Sequence, residues 1–117
     1  MPYLQLCTSK SLDEAQKHDL CEEIGKLMPL IPGKTRENTM MNIMDGCYME
    51  KVDASEPSLN LEVRVLGAVP EANKRDYVEK ICALFEKKPG ISPGRVTINF
   101  VEFDCWGTDG KLLKAGA

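Results

Sequence analysis

The sequence predicts a single α/β (α+β) domain over residues 1–117, in which two β-α-β units form a four-stranded mixed sheet with both helices on one face. Two observations predict this class. Four stretches alternate apolar and polar residues as strands do, and two stretches place apolar residues at helical spacing. Their order is strand, helix, strand, and then the same again. Because β-α-β crossovers are right-handed, both helices should lie on the same face of the sheet.

The first strand opens the chain, where Leu4 and Leu6 alternate with more polar neighbours directly after Met1-Pro2. Aminopeptidases remove an initiator Met that precedes a small residue, so we expect the mature chain to begin at Pro2 with a free secondary amine. Such an amine can act as a general base at neutral pH when burial or a nearby cation lowers its pKa. Many proteins begin Met-Pro without this role, so these residues alone leave both interpretations open.

The first helix is predicted to begin at Ser11, which would be its N-cap, with Glu14 completing a capping box. Pro29 should make the end of the helix irregular, and Pro32-Gly33 should stop it. The apolar face that it should bury consists of residues at helical spacing: Leu20, Ile24, Leu27, Met28 and Ile31.

The middle of the chain is predicted to hold a strand over residues 39–44, after a polar connection over residues 34–38. Residues 45–57 lose the pattern and predict a long loop, with a short strand or turn near Tyr48-Met49. A loop of this length in a small domain is often functional.

The second half repeats the order of the first. Residues 58–67 form the clearest strand, a helix should run from Pro70 to the lysines at 87 and 88, and the last strand should span residues 95–103. We expect residues 104–110 to be rich in turns and residues 114–117 to be frayed. The stripe that the second helix should bury is Val78, Ile81, Cys82 and Phe85.

A sandwich of two layers leaves the second face of its sheet uncovered. Leu66, Val101 and Phe103 place apolar side chains near the ends of the third and fourth strands. Self-association would bury this surface, so we expect an oligomer.

Composition and charge exclude several classes of function. The net charge of −3 argues against nucleic acid or an anionic membrane as the main partner, and no apolar stretch is long enough to span a membrane. No secretory signal peptide of the usual form is visible. The five cysteines are scattered, odd in number and without a Cys-x-x-Cys pair, which predicts reduced, mostly buried thiols in a cytoplasmic protein. Secretion by an unconventional route stays open.

The only histidine, His18, is expected on the surface of the first helix. Because no His or Cys cluster has the spacing of metal ligands, we expect no metal site. No glycine-rich, phosphate-binding loop precedes a helix, so we expect no nucleotide cofactor either.

A series of short motifs, taken together and in order, resembles the tautomerase superfamily, specifically its macrophage migration inhibitory factor (MIF) group. The resemblance covers nearly the whole chain and implies a homotrimer whose three sheets line a central barrel, with a site at each subunit interface. The motifs are Met1-Pro2, Gly33-Lys34, Ser55-Glu56-Pro57, Gly67, the Ile-Ser-Pro-x-Arg-Val-x-Ile-Asn stretch over residues 91–99, and Trp106.

This resemblance implies a cofactor-independent keto–enol tautomerase that acts on a small α-keto acid such as phenylpyruvate, with the Pro2 amine as general base. Lys34 matches the active-site lysine of the family, and its charge would lower the pKa of the amine and attract the carboxylate of the substrate. The further substrate-binding residues that the resemblance implies are Leu66 and Thr97, Asn99 from the adjacent subunit, and Trp106 near the mouth.

The chain departs from the family pattern in four places, one of which is the loop over residues 49–55, where the common Phe-Gly-Gly or Ser-Gly-type sequence is missing. Thr97 stands where the family often has a Tyr, so we expect aromatic keto acids to bind poorly. Residues 58–61 read Ser-Leu-Asn-Leu in place of the Cys-x-x-Cys of the vertebrate cytokines, so we infer no thiol–disulfide oxidoreductase activity. The tail after Trp106 lacks the usual Trp-Asn-Gly-Ser-Thr-Phe ending, which alters the predicted rim of the pocket.

Other interpretations remain open. The protein could be a MIF-like cytokine or interaction module with a protein receptor and weak or vestigial tautomerase activity, since a fold alone does not fix a function. Decarboxylation or dehalogenation of a small unsaturated acid would need extra acidic or arginine groups, which the sequence alone does not place in the pocket. Individually, Lys34 could be a surface lysine, Asn99 an ordinary outward strand residue and Trp106 a subunit contact.

Overall fold

The computed structural model describes residues 1–116 and confirms the predicted architecture. One mixed sheet has the strand order β2-β1-β3-β4, and a separate two-stranded sheet contains β5 and β6. The elements are β1 (Pro2–Thr8), α1 (Glu14–Leu27), β2 (Met40–Met44), β3 (Leu59–Leu66), α2 (Glu71–Lys87), β4 (Val96–Phe103), β5 (Cys105–Thr108) and β6 (Lys111–Lys114).

The register of the central strands determines what surrounds the start of the chain. β1 and β3 pair antiparallel, while β2 and β4 join their outer edges in parallel. Pro2 lies opposite Val65, and Tyr3 lies opposite Arg64. Because opposed residues point to the same face, the first pair faces the helices and the second pair faces the uncovered side. The start of β1 therefore lies beside the carboxyl ends of β3 and β4.

The hydrophobic core fills the space between the sheet and the two helices. Every second residue of β1 and β3 is buried, and α1 buries most of its predicted face, with Leu27 only half-buried. The prediction for α2 was wrong at Val78 and Cys82, which are half-buried, because Tyr77 points into the core with Ile81 and Phe85. Those three residues are spaced by four, so they lie on one face of the helix.

The predicted start of α1 was also wrong. Asp13, not Ser11, is the N-cap: its carboxylate accepts from the Gln16 N–H at 2.8 Å, and the Gln16 side chain accepts from the Asp13 N–H at 2.9 Å. Leu12 is buried ahead of the helix, and its N–H donates to Asp45 at 2.8 Å. Because this anchor holds the chain outside the helix, the capping box forms two residues later than the sequence pattern predicts.

The tail is more regular than predicted. β5 and β6 form an antiparallel hairpin, and Asp109 and Gly110 connect them with φ values of 53° and 73°. A two-residue Asp-Gly turn with both residues left-handed is the type I′ connection that matches strand twist. Lys114 pairs with Cys105, so the expected fraying is wrong here. Ala117 lies outside the described residues.

Glu102 connects the end of β4 to the start of α2. Its carboxylate accepts from the Val69 N–H and from Lys74 Nζ, the latter at 3.2 Å. These hydrogen bonds, the backbone one first, lower the pKa of Glu102. The contact therefore stabilises the junction between the second helix and the sheet only while this carboxylate is ionised.

The other differences are local. Residues 45–57 form the predicted loop, but Tyr48-Met49 forms no strand, and the isolated bridge joins Lys51 to Asp53. His18 is exposed, as predicted. The cysteines are free but half-buried, and Cys105 is exposed, so the prediction of mostly buried thiols was wrong. Cys7 lies on the uncovered side of the sheet, Cys47 on a loop and Cys105 in β5, whereas Cys21 and Cys82 lie on the helices.

The uncovered side of the sheet is more polar than its apolar end residues indicate. Asn60 donates from its side-chain amide to the Thr97 hydroxyl at 2.9 Å and to the Asn99 amide oxygen at 3.2 Å. Leu66 and Phe103 lie at the opposite end, paired with each other. An interface on this side would therefore have to satisfy hydrogen bonds as well as bury apolar surface.

Candidate functional site

A cavity of about 720 Å³ lies where the start of β1 meets the ends of β3 and β4. Its size is in the range of small-molecule sites. Strand β5 forms one wall, and the segment that leads into β2 forms another. The lining residues are Met1, Pro2, Tyr3, Glu37, Asn38, Thr39, Met40, Arg64, Phe103, Cys105, Trp106, Gly107 and Thr108.

The N-terminal amine lies at this cavity, next to Lys34. Met1 is present in the structure, so its amine is the terminal group. Burial is the largest effect that lowers the pKa of this amine, and the charge and the hydrogen bonding of Lys34 lower it further. Pro2 follows at the usual Cα–Cα spacing of about 3.8 Å, so the amine created by removing Met1 would form within the same corner of the cavity.

A tight turn after α1 positions Lys34. Its N–H donates to the Ile31 carbonyl at 3.0 Å across Pro32-Gly33, and Gly33 has a φ of +77°. Proline followed by a left-handed glycine is the sequence that a type II turn requires. The Pro-Gly pair that ends the helical segment thus also brings the lysine back towards the first strand.

The hairpin positions Trp106. Its ring packs edge-to-face against Phe103, with the centroids 5.7 Å apart and an interplanar angle of 65°. Both residues line the cavity with Pro2. The structure therefore brings together three of the predicted site residues, with Pro2 and Trp106 in the wall and Lys34 beside the amine.

Leu66 does not line this cavity. It lies one residue beyond Val65 in β3, and Val65 is the partner of Pro2. Continuing the antiparallel register places Leu66 opposite Met1, at the border of the same corner. Its predicted role as a lining residue stays a prediction.

Thr97 and Asn99 lie away from the cavity within one chain. Thr97 is paired with Asn60, and Asn99 with Glu62, whereas Pro2 is paired with Val65. At about 3.3 Å per residue along β3, these offsets correspond to about 16 Å and about 10 Å. A single subunit therefore does not bring either side chain to Pro2.

Arg64 and Tyr3 are among the cavity residues that the sequence interpretation missed. The guanidinium carbon of Arg64 lies 5.2 Å from the centroid of the Tyr3 ring, and Arg64 Nε donates to Glu62. The alternation in β3 shows that Arg64 points outward. Only the pairing with β1 reveals that it points towards the chain terminus.

Neither a metal centre nor a membrane span is visible among residues 1–116. No group of three or more His, Cys, Asp or Glu side chains is placed to hold a metal ion. No helix in this part of the chain combines the length and the apolar character needed to cross a bilayer.

Comparisons with known structures match the fold over almost the entire chain. The MIF2 structure of Leishmania major has a TM-score of 0.88 at 22% identity, covering 97% of each chain. The macrophage migration inhibitory factor of Toxoplasma gondii has a TM-score of 0.84 at 16% identity, covering 95% of this chain and 99% of its own. Pt0534, solved after inactivation by 2-oxo-3-pentynoate, has a TM-score of 0.79 at 17% identity, covering 92% of each chain.

At these identities the structural matches show a shared fold. The sequence itself matches the family model described as macrophage migration inhibitory factor (MIF) over residues 1–112. That match includes β1 with Pro2, both helices and the terminal hairpin as far as Leu112. The chain therefore belongs to the macrophage migration inhibitory factor family, within the tautomerase superfamily.

Proposed function

We propose that this protein is a cofactor-independent keto–enol tautomerase, phenylpyruvate-tautomerase-like, in which the amine of Pro2 is the general base. The observation that carries the proposal is that the chain begins at a cavity beside Lys34, where burial and that lysine lower the pKa of the Met1 amine, one residue from where the Pro2 amine would form. An amine with a lowered pKa is more often neutral at pH 7, and only the neutral form can accept a proton.

In the proposed reaction, Pro2 nitrogen removes a proton from the carbon next to the ketone of an α-keto acid. The electrons of that C–H bond form the C=C bond, and the carbonyl π electrons move to oxygen. Lys34 places positive charge near the carboxylate and the developing enolate oxygen, which lowers the barrier. Protonation of the oxygen completes the enol, and the same steps in reverse form the ketone.

The proposed active unit is a homotrimer. Thr97 and Asn99 lie about 16 Å and 10 Å from the level of Pro2 along β3, so they could contribute only to the cavity of a neighbouring subunit. Sedimentation equilibrium would measure the assembly. A protein that stays monomeric at assay concentrations while remaining active would contradict a role for these two residues.

The direct test is the enol–keto conversion of phenylpyruvate by the processed protein, by Pro2→Gly and by a form that keeps Met1. Mass spectrometry must first establish each N-terminus. We expect activity only in the processed protein, because the retained residue turns the proline nitrogen into an amide and fills its corner of the cavity. Equal rates in all three forms would contradict the proposal.

Lys34→Met tests whether the positive charge of Lys34 is needed for activity, and Lys26→Met is its matched control. Lys26 is an exposed lysine near the end of α1, paired only with Glu23 within the described chain. We expect the first variant to lose activity and the second to retain it. Similar effects of both substitutions would show that general loss of positive charge, not the position of Lys34, matters.

Covalent labelling gives a second readout. Pt0534 is inactivated by 2-oxo-3-pentynoate. With this chain we expect the Pro2 nitrogen to add to the alkyne carbon, forming an N–C bond while its proton moves to the adjacent carbon. No group leaves, so the N-terminal peptide should gain the whole mass of the reagent. Labelling at a cysteine with the terminal peptide unmodified would argue against a reactive amine.

The alternative is a MIF-like interaction protein with a protein receptor and vestigial activity. One observation favours it: on the 45–57 loop, Tyr48 is 84% exposed and Val52 is 97% exposed. Large apolar side chains at this exposure suit a protein contact. Partner binding that survives Pro2→Gly but is lost on changing these two residues would support this alternative over the enzyme.

A further inference from the structure

The tautomerase proposal leaves two charged side chains of the cavity without a role, Arg64 and Glu37, of which only Arg64 is a cation. Arg64 lines the cavity with Pro2 and Tyr3. It lies opposite Tyr3 in the register and one residue before Val65, the partner of Pro2. A second cation in addition to Lys34 is therefore present close to where the amine forms.

Contacts with neighbouring residues orient the Arg64 side chain but leave part of its guanidinium free to bind a ligand. Nε donates to Glu62, and the Tyr3 ring lies 5.2 Å from the guanidinium carbon. Among the residues that the structure describes, neither terminal nitrogen donates to a protein group, and the side chain is 35% exposed. The edge formed by the two terminal nitrogens can therefore still bind a carboxylate with two parallel hydrogen bonds.

The ion pair with Glu62 also limits how this arginine can act. An adjacent carboxylate cancels much of the guanidinium charge at a distance, so Arg64 would attract anions weakly over a long range. Direct, paired hydrogen bonds remain effective at close range because the side chain is already oriented. Discrimination should therefore depend on whether a ligand places a carboxylate in contact with the guanidinium, not on its total charge.

We propose that Arg64 makes this cavity selective for dicarboxylic 2-oxo acids. The first carboxylate and the ketone would lie near Lys34 and the Pro2 amine, and the second carboxylate would accept from the terminal nitrogens of Arg64. This inference rests on the proposed function for the identity of the first subsite. The second subsite rests on Arg64, Glu62 and Tyr3 alone.

The test separates binding from turnover by using the fluorescence of Trp106, the only tryptophan and a cavity residue. The processed protein is titrated with two non-reacting acids of equal length, pentanedioate and pentanoate. We expect the dicarboxylate to bind about 10- to 100-fold more tightly, the range for hydrogen bonds between charged groups. Arg64→Gln should reduce the ratio to about one, and Arg64→Lys should restore it in part.

Arg75→Gln is the matched control, since Arg75 is an exposed arginine of α2 that also pairs with a glutamate. It should leave the ratio of affinities unchanged. Circular dichroism checks that each variant is folded. Equal affinity for the two acids, no binding of either, or a preference that survives Arg64→Gln would overturn the proposal.

Turnover provides the second measurement, through exchange of the C3 protons of 2-oxopentanedioate and 2-oxopentanoate in D₂O followed by NMR. A faster rate for the diacid that falls to parity in Arg64→Gln supports the selectivity. Exchange of both acids at equal rates overturns it and leaves the tautomerase proposal intact. If neither acid exchanges, the tautomerase proposal loses its support, while the fluorescence titration still decides the role of Arg64.

Discussion

Replacing Tyr77 by phenylalanine should stabilise this protein. Tyr77 is completely buried, and among the described residues its hydroxyl has no hydrogen-bond partner. Its ring packs edge-to-face against Phe100, with the centroids 6.1 Å apart, and phenylalanine preserves that contact. Burial raises the pKa of Tyr77 because desolvation disfavours the ionised form of its hydroxyl. The substitution therefore removes a buried polar group and little else.

Two opposing effects determine the size of the change. A buried hydroxyl without a partner costs about 1–3 kcal/mol. Removing the oxygen leaves a void of about 15 Å³, which costs about 0.4 kcal/mol at about 24 cal/mol per Å³. The free energy of unfolding should therefore rise by about 1–2 kcal/mol. For 117 residues the unfolding entropy is about 0.25 kcal/mol/K, so Tm should rise by about 4–8 °C.

The assay is thermal unfolding followed by circular dichroism, at one fixed protein concentration because assembly would shift Tm. Tyr48→Phe is the matched control: Tyr48 is 84% exposed and its hydroxyl donates to Glu50, so its Tm should change little. A fall in the Tm of Tyr77→Phe would refute the reasoning. It would mean that the hydroxyl has a partner, such as an internal water, that outweighs its desolvation.

Three other predictions follow from the same contacts. Asp13→Ala should destabilise the protein by about 0.5–2 kcal/mol in urea unfolding, whereas Ser11→Ala should have almost no effect. A large loss in Ser11→Ala with none in Asp13→Ala would show that Ser11 is the N-cap. Glu102→Gln should have a lower free energy of unfolding than the parent at pH 7. The difference should shrink as pH falls below about 4.3, because a carboxyl group with a lowered pKa contributes this stability only while it is ionised. A difference that stays constant between pH 3 and pH 7 would contradict this. Lys34→Met should move the acidic limb of the pH profile of kcat/KM to higher pH, since loss of the cation makes the Pro2 amine easier to protonate. If the limb does not move, burial alone lowers the pKa of this amine.

The element order could be read from the sequence because it depends on local patterns. Alternation in the strands and four-residue spacing in the helices identify which residues face the core, and Pro-Gly pairs mark where helices stop. Two of the errors occurred where hydrogen bonds outside the helical pattern determined the local structure. Asp45 holds Leu12 outside the first helix, and pairing across Asp109-Gly110 orders a tail that looked frayed.

The same distinction between local sequence patterns and tertiary contacts applies to the candidate site. The sequence by itself determined that a proline opens the first strand, that Pro32-Gly33 ends the first helix just before Lys34, and that one side of the sheet would lack a covering layer. The antiparallel register of β1 and β3 was decided only by the tertiary structure, and it places Arg64 beside Tyr3 near the terminal amine. It also places Thr97 and Asn99 about 16 Å and 10 Å away from Pro2 along the sheet. The physical reason is that register comes from contacts between strands more than fifty residues apart, and shifting it by one residue exchanges the two faces without changing either strand's own pattern.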